Sequence, residues 1–182
     1  MKNALSFFNV VAAAVLVLTV AAMSWVNRPP PTPEVPNYVL SERLPVEVPV
    51  YYLDAGGQKL VSEKRNVPVV QGEQNAQGTA EAALTVWNQG PTTQALKAAV
   101  PSGLPAPRVW LRGDNYFVNL PGEYRNLGYS VSGEYLMLCS MTRTLLENQG
   151  LDVTFLVEGK NEATIGQVDL RQPLTRQDCK DL

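Results

Sequence analysis

The apolar and polar positions fall into three blocks, and the first is the longest uninterrupted apolar stretch in the chain, the 22 positions from Leu5 to Val26. At about 1.5 Å per residue that stretch predicts a helix of roughly 33 Å, enough to cross a hydrocarbon core of about 30 Å. A cleaved signal peptide is the alternative, because Val20-Ala21-Ala22 before Met23 has the small residues of a cleavage site. The run is longer than a signal core and continues through Trp25, an interfacial residue type, to Arg28, which favours a retained anchor. Lys2 and Arg28 bracket it with little charge bias, and a short N-terminus inside with a long domain outside is the ordinary arrangement. No cysteine lies near this segment, so no lipobox is written there.

The second block is a spacer. Seven of the 14 prolines lie between Arg28 and Pro49, a density incompatible with a helix. A polyproline II stalk over residues 28–45 would span on the order of 50 Å. This divides the chain into an anchor at 1–27, a stalk at 28–45 and one globular domain at 46–182, a normal size for a single core.

Within the domain the hydrophobic period changes repeatedly. Val46, Val48, Val50 and Tyr52 alternate, predicting a half-buried strand to Leu53. Asp54-Ala-Gly-Gly-Gln58 is a turn, and Lys59 to Val70 returns as a second strand. Gln71 to Gly78 reads as a loop, and Thr79 as the N-cap of a helix ending at Gly90-Pro91, with Leu84 and Trp87 facing the core. A second hairpin pairs Arg108–Arg112 with Tyr116–Leu120 around Gly113-Asp114-Asn115. It puts Val109, Leu111, Tyr116, Val118 and Leu120 on one face, and Arg108, Trp110, Arg112, Phe117 and Asn119 on the other. A two-residue slip leaves that partition unchanged.

After a Gly-rich loop, Ser132 caps a helix to about Gln149, with Tyr135, Leu138, Met141 or Thr142, and Leu145 on its apolar face. Gly150 ends it. A last hairpin joins Asp152–Val157 to Ala163–Leu170 through Glu158-Gly-Lys-Asn-Glu162. Three hairpins and two helices predict an α+β domain with a mainly antiparallel sheet and the helices packed on it, after one N-terminal transmembrane helix.

Several of these segments coincide in order with family features: Val50-Tyr-Tyr-Leu53, Asn88-Gln-Gly-Pro91, Val100-Pro-Ser-Gly103, Phe117-Val-Asn-Leu120, Ser132-Gly-Glu-Tyr-Leu-Met-Leu138, Val153-Thr-Phe-Leu-Val-Glu-Gly159, and Ile165-Gly-Gln-Val-Asp-Leu170 before Pro173-Leu174. From about Val48 to Arg176 the chain resembles the GerMN domain, the sporulation and spore germination module. The resemblance implies a bacterial envelope protein with a fold similar to the ring-building α+β modules of secretion and sporulation complexes, and it supplies no catalytic residues. The chain carries one copy of the module, and a transmembrane segment in place of a lipobox.

Composition narrows the chemistry. Residues 46–182 hold 12 Lys and Arg against 15 Asp and Glu, scattered in sign, so no basic stripe points to nucleic acid. Cys139 and Cys179 are a disulfide candidate if the domain lies outside the cytoplasm; the alternative is one buried thiol and one tail thiol. The chain has no histidine, which removes histidine-based triads and metal sites, and no metal or cofactor is expected. Ser62 and Lys64 share a strand face, and Asp152, Glu158, Glu162 and Asp169 share the last hairpin, but both groups read better as solvated surface than as a Ser-Lys dyad or a carboxylate pair.

Trp110 and Phe117 between Arg108 and Arg112 are the residue types that protein interfaces favour, and these four are the candidate partner-binding residues. If helices covered both hairpin faces, Trp110 would be core instead. The resulting expectation is a membrane-tethered, extracytoplasmic binding or scaffold module of the cell envelope, without enzymatic activity. Its expected partner is an envelope protein, a second copy, or peptidoglycan. The alternative is a wall-polymer binder or weak hydrolase.

Overall fold

The computed structural model describes residues 7–28, 42–72, 75–180 and 182. The chain divides into two units, residues 1–39 and 40–182. In the first, helix α1 (Phe7–Val26) contains an apolar window from Asn9 to Val26 of mean hydropathy 2.1, none of it buried. Its hydroxyls are satisfied within the helix, Thr19 donating to the carbonyls of Val15 and Leu16, and Ser24 to that of Ala21. No polar side chain among these is left seeking water, as a lipid-facing helix requires. Length and composition suit a membrane span, and a signal sequence meets the same test. Most of the expected stalk, residues 29–41, lies outside the described residues.

The second unit opens with β1 (Arg43–Asp54), which starts three residues inside the expected spacer and pairs along its length with β2 (Leu60–Val70). Pro45 and Pro49 fit because they point their missing N–H away from β2. The alternation is set by Asp54, whose N–H bonds to Lys59 across the hairpin, and by Tyr51, whose N–H turns outward to Thr144. The Asp54 carboxylate accepts from the N–H groups of Gln58 and Lys59, closing the turn. A two-residue strand β3 (Leu96–Lys97), not foreseen from the sequence, adds to the other side of β1.

Helix α2 (Ala76–Gln89) begins earlier than the sequence suggested. Asn75, not Thr79, is the N-cap, its side chain accepting from the Gly78 N–H. Gly90 ends the helix at φ 88, and Leu84 and Trp87 are buried. The second sheet starts with β4 (Arg108–Arg112) and β5 (Asn115–Leu120), joined by the tight turn Gly113-Asp114. A 3₁₀ turn at Gly122–Asn126 leads to α3 (Val131–Leu146), capped by Ser130 rather than Ser132.

From Leu136 to Thr142 every residue of α3 is buried, so this helix is central rather than one-faced. Its polar groups are mostly paired inside. Ser140 accepts from Trp87 Nε1 and donates to the Met137 carbonyl, and Thr144 accepts from the Tyr51 N–H while donating to Ser140. Thr142 Oγ1 is the exception on this helix, buried without a partner.

The largest departure from the sequence reading follows α3. Strand β6 (Asp152–Val157) does not form a hairpin with 163–170; it pairs in parallel with β5, the α3 crossover lying between them. The turn at 158–159 does begin a hairpin, with Glu158 and Gly159 both at positive φ and Val157 bonded to Lys160, but the pairing stops there. The chain instead makes a smaller hairpin, β7 (Thr164–Ile165) with β8 (Val168–Asp169).

β6 has β5 on one side and strand β9 (Leu174–Thr175) on the other, and the small hairpin meets Glu134 of α3 instead. The Glu134 carboxylate accepts from the Gln167 N–H at 2.8 Å and occupies the space where a Cβ on Gly166 would lie, holding this hairpin on α3. The domain is α+β as expected, with two of the three expected hairpins and β7-β8 in place of the third. Its single sheet is two, ordered β2-β1-β3 and β4-β5-β6-β9, mostly antiparallel with one parallel pair, plus the separate β7-β8 ribbon. Helix α2 packs on β1, β2 and β4, and α3 on β1, β6 and β9, so the helices join both sheets in one core.

Candidate functional site

Strands β4, β5 and β6 build a flat surface with two unlike faces. The period-2 alternation sends Val109, Tyr116, Val118, Leu120, Val153, Phe155 and Val157 inward, all buried, and Leu111 inward but half-buried. The registers then set the outward residues in three rows across the strands: Arg108-Asn119-Leu156, Trp110-Phe117-Thr154 and Arg112-Asn115-Asp152. Both helices pack from the inner side, so Trp110 keeps 44% of its surface exposed and the arrangement that would have made it core is absent. Phe117 stands directly across from it, half-buried, an aromatic cross-strand pair.

Arg108 and Arg112 flank this pair on the same strand, four residues and therefore about 13 Å apart. Both are exposed, and among the described residues neither forms an ion pair. The amides on the face are already engaged: Asn115 Nδ2 donates to Asp152 Oδ2 at 2.8 Å, and Asn119 Oδ1 accepts from the Gly159 N–H at 2.6 Å. The two guanidiniums beside the aromatic pair make no ion pair or side-chain hydrogen bond among the described residues. A shallow groove of about 720 Å³ runs across the face, lined by Gln77, Trp110, Leu111, Arg112, Phe117, Leu156 and Gly159. Gln77 lies in what the sequence suggested was loop; Asn75, three residues before Gly78, was the cap signal that would have placed it on a helix.

Elsewhere the charged groups are structural. Glu63 accepts from the N–H and hydroxyl groups of both Thr92 and Thr93, and pairs with Arg65 at 3.2 Å. Burial pushes its carboxyl up, but these donors outweigh burial and hold it down at about 2. Arg65 also donates to the Tyr52 hydroxyl and the Gly90 carbonyl, and burial takes the Tyr52 phenol up to about 12. Arg143 stacks 4.5 Å from the Tyr51 ring and donates to the Cys179 carbonyl. Cys139 and Cys179 form a disulfide that ties the C-terminal segment to α3, aided by Tyr135 donating to the Asp178 carbonyl.

The residues weighed for catalysis do not converge. Lys64 is exposed and paired with Glu47, at 2.9 Å. Of the four acids, Glu158 and Glu162 both face Arg125, Asp152 belongs to Asn115, and Asp169 pairs with Arg171. They serve three separate contacts, not one cleft.

Residues 49–163, more than half of the chain, match the family model Germane, described as sporulation and spore germination. The chain belongs to the Germane family. Its fold is similar to the tandem GerMN domains of the sporulation protein GerM from Bacillus subtilis, at 20% identity and TM-score 0.60, over 74% of this chain and 48% of that one. This chain therefore spans about half of that tandem structure. The first GerMN domain of the same protein compares at 19% identity and TM-score 0.58, over 72% of this chain and 98% of the other. A candidate lipoprotein from Clostridium perfringens compares at 17% identity and TM-score 0.50, over 79% and 97%. No curated protein matches the sequence.

The Germane landmarks have structural roles here. Asn88 donates to the Leu104 carbonyl and accepts from the Tyr124 hydroxyl, fixing the turn after α2, and the Ser132-Gly-Glu and Ile165-Gly-Gln segments meet in the Glu134 contact. These contacts hold parts of the fold together.

Proposed function

We propose that this Germane-family protein is a membrane-tethered, extracytoplasmic binding module, a scaffold of the cell envelope that engages a protein partner through the outer face of β4, β5 and β6. The observation that carries the reading is Trp110, 44% exposed between two arginines that have no ion-pair partner among the described residues. Soluble surfaces tolerate isolated exposed aromatics, but an aromatic pair framed by free guanidiniums is the composition of an interface centre. A helix α1 long and apolar enough to span a membrane, together with the disulfide, supports a domain held outside the membrane.

The test is crosslinking of the tagged full-length protein in membranes, wild type beside Trp110→Asp, with mass-spectrometric identification of what is joined to it. A stoichiometric partner that is lost in a Trp110→Asp variant of normal thermal stability supports the reading. A partner retained by that variant moves the interface elsewhere. Incubation with purified peptidoglycan addresses the other class, since release of soluble fragments would make the protein a hydrolase.

A further inference from the structure

β4 is the outer strand of its sheet, and its free side faces α2, from which one side chain reaches the strand's backbone. Gln77, on the first turn of α2, donates from Nε2 to the Val109 carbonyl at 2.9 Å, and its Oε1 accepts from the Leu111 N–H at 2.6 Å. A primary amide presents one donor edge and one acceptor edge, as a peptide group does. Gln77 thus fills the two ladder positions that a neighbouring strand would use. Exposed edges are commonly guarded by proline, by charge or by a covering element. Here the two backbone groups are met by a side chain, which is held in turn by Glu81 of the same helix and which a rotamer change would release from the strand. A space of about 350 Å³ lies beside the same strand, walled by Pro107, Arg108 and Trp110 on one side and by Glu81 and Thr85 of α2 on the other.

We propose that the free edge of β4 is a strand-addition site for an extended acidic segment of a partner protein, and that the Gln77 amide is a plug the segment displaces. The proposal rests on the reading of the outer face as the docking surface and specifies how the partner is held. Charge complementarity selects the occupant. On an added strand, the residues opposite Arg108, Trp110 and Arg112 share their face, and cross-strand pairs favour opposite charges and apolar matches. The complement is acid, apolar and acid at every second position. A second copy pairing β4 antiparallel about Trp110 would set Arg108 against Arg112 twice, a like-charge match.

The probe is a capped heptapeptide, TETVTET, with its two glutamates four residues apart and valine between them, titrated against the full-length protein in lipid nanodiscs by fluorescence anisotropy. Two further peptides carry N-methyl groups on alternate amides, one on the odd positions and one on the even. If the edge receives the strand, one methylated peptide loses binding and the other keeps it, whichever direction the strand runs. Gln77→Ala tightens binding by about tenfold, because two hydrogen bonds no longer have to be displaced, and the double variant Arg108→Glu with Arg112→Glu weakens it by tenfold or more.

Equal binding of both methylated peptides, with the arginine dependence intact, overturns strand addition and leaves the docking face standing. No binding to wild type or to Gln77→Ala at millimolar peptide, or binding indifferent to the arginine reversal, also overturns it. The partner loss expected for Trp110→Asp is read separately, so failure of the edge and failure of the face are distinguishable. Should Gln77→Ala fold poorly, the two methylated peptides decide the question on the wild-type protein.

Discussion

The two faces of β4, β5 and β6 are made by the same three strands and have opposite characters. The inner face is closed by both helices and is apolar throughout. The outer face carries an exposed tryptophan, a half-buried phenylalanine and two arginines without ion-pair partners among the described residues. Two arginines elsewhere in the domain are used differently. Arg65 and Arg143 each hold several fixed contacts, joining β2 to the turn after α2 and α3 to the disulfide-bonded tail. The paired arginines build the fold, and two that are left unpaired border the one large exposed aromatic of the sheets.

Breaking the inner face should cost most. Phe155→Ala is expected to lower unfolding stability by about 4 kcal/mol, whereas Trp110→Ala should cost less than about 1 kcal/mol. Urea unfolding of both variants measures the contrast, and equal losses would make the outer face part of the core. Next is the disulfide behind the inner face. Replacing Cys139 and Cys179 together by alanine opens a loop of 40 positions, and the loop-entropy model gives a loss of about 4 kcal/mol, with measured values commonly nearer 2 to 3. Chemical unfolding with and without reductant reads it.

A smaller effect is expected at Glu63, whose removal leaves Arg65 and the Thr92 and Thr93 donors without their acceptor. Glu63→Gln should cost about 2 kcal/mol near neutral pH. The folded carboxyl sits at about 2, below its unfolded value of about 4.3. Its stabilisation is therefore present above the unfolded value and is lost as pH falls from there toward 2. The wild type should lose stability over that acid window more steeply than Glu63→Gln, as melting temperatures at successive pH values would show. Smallest in stability is Arg108→Glu with Arg112→Glu, within about 0.5 kcal/mol of wild type, yet this pair should abolish partner capture. Unchanged capture would detach the arginines from binding.

Much of the domain was legible from local pattern. The faces of the second hairpin follow from period 2 alone, and the core positions Leu84, Trp87, Leu138 and Leu145 follow from helical spacing, because both depend only on neighbours in sequence. The helix starts misplaced to Thr79 and Ser132 have a shared cause: Asn, Ser and Thr all cap, and two such residues lie close together at each start, Asn75 with Thr79 and Ser130 with Ser132. The pairing of β6 was misread although strand, long helix, strand is the pattern of a parallel crossover. The turn at Glu158-Gly159 is real and pointed to a longer hairpin. The longer hairpin is absent because β6 pairs with β5 and β9, strands distant in sequence, and the segment that follows meets Glu134 of α3.

The candidate site divides along the same line. That Trp110, Phe117, Arg108 and Arg112 share a face was contained in the sequence, as were the apolar N-terminal segment and the ordered family landmarks, since each is a property of contiguous residues. Whether that face would be covered was decided only by the tertiary structure, which puts both helices on the inner side. Tertiary structure alone also brought Gln77 to the edge of β4 and Gly166 against Glu134. Periodicity tells a residue which way to point, but burial and pairing depend on what the rest of the chain brings to that side, and no local pattern encodes it.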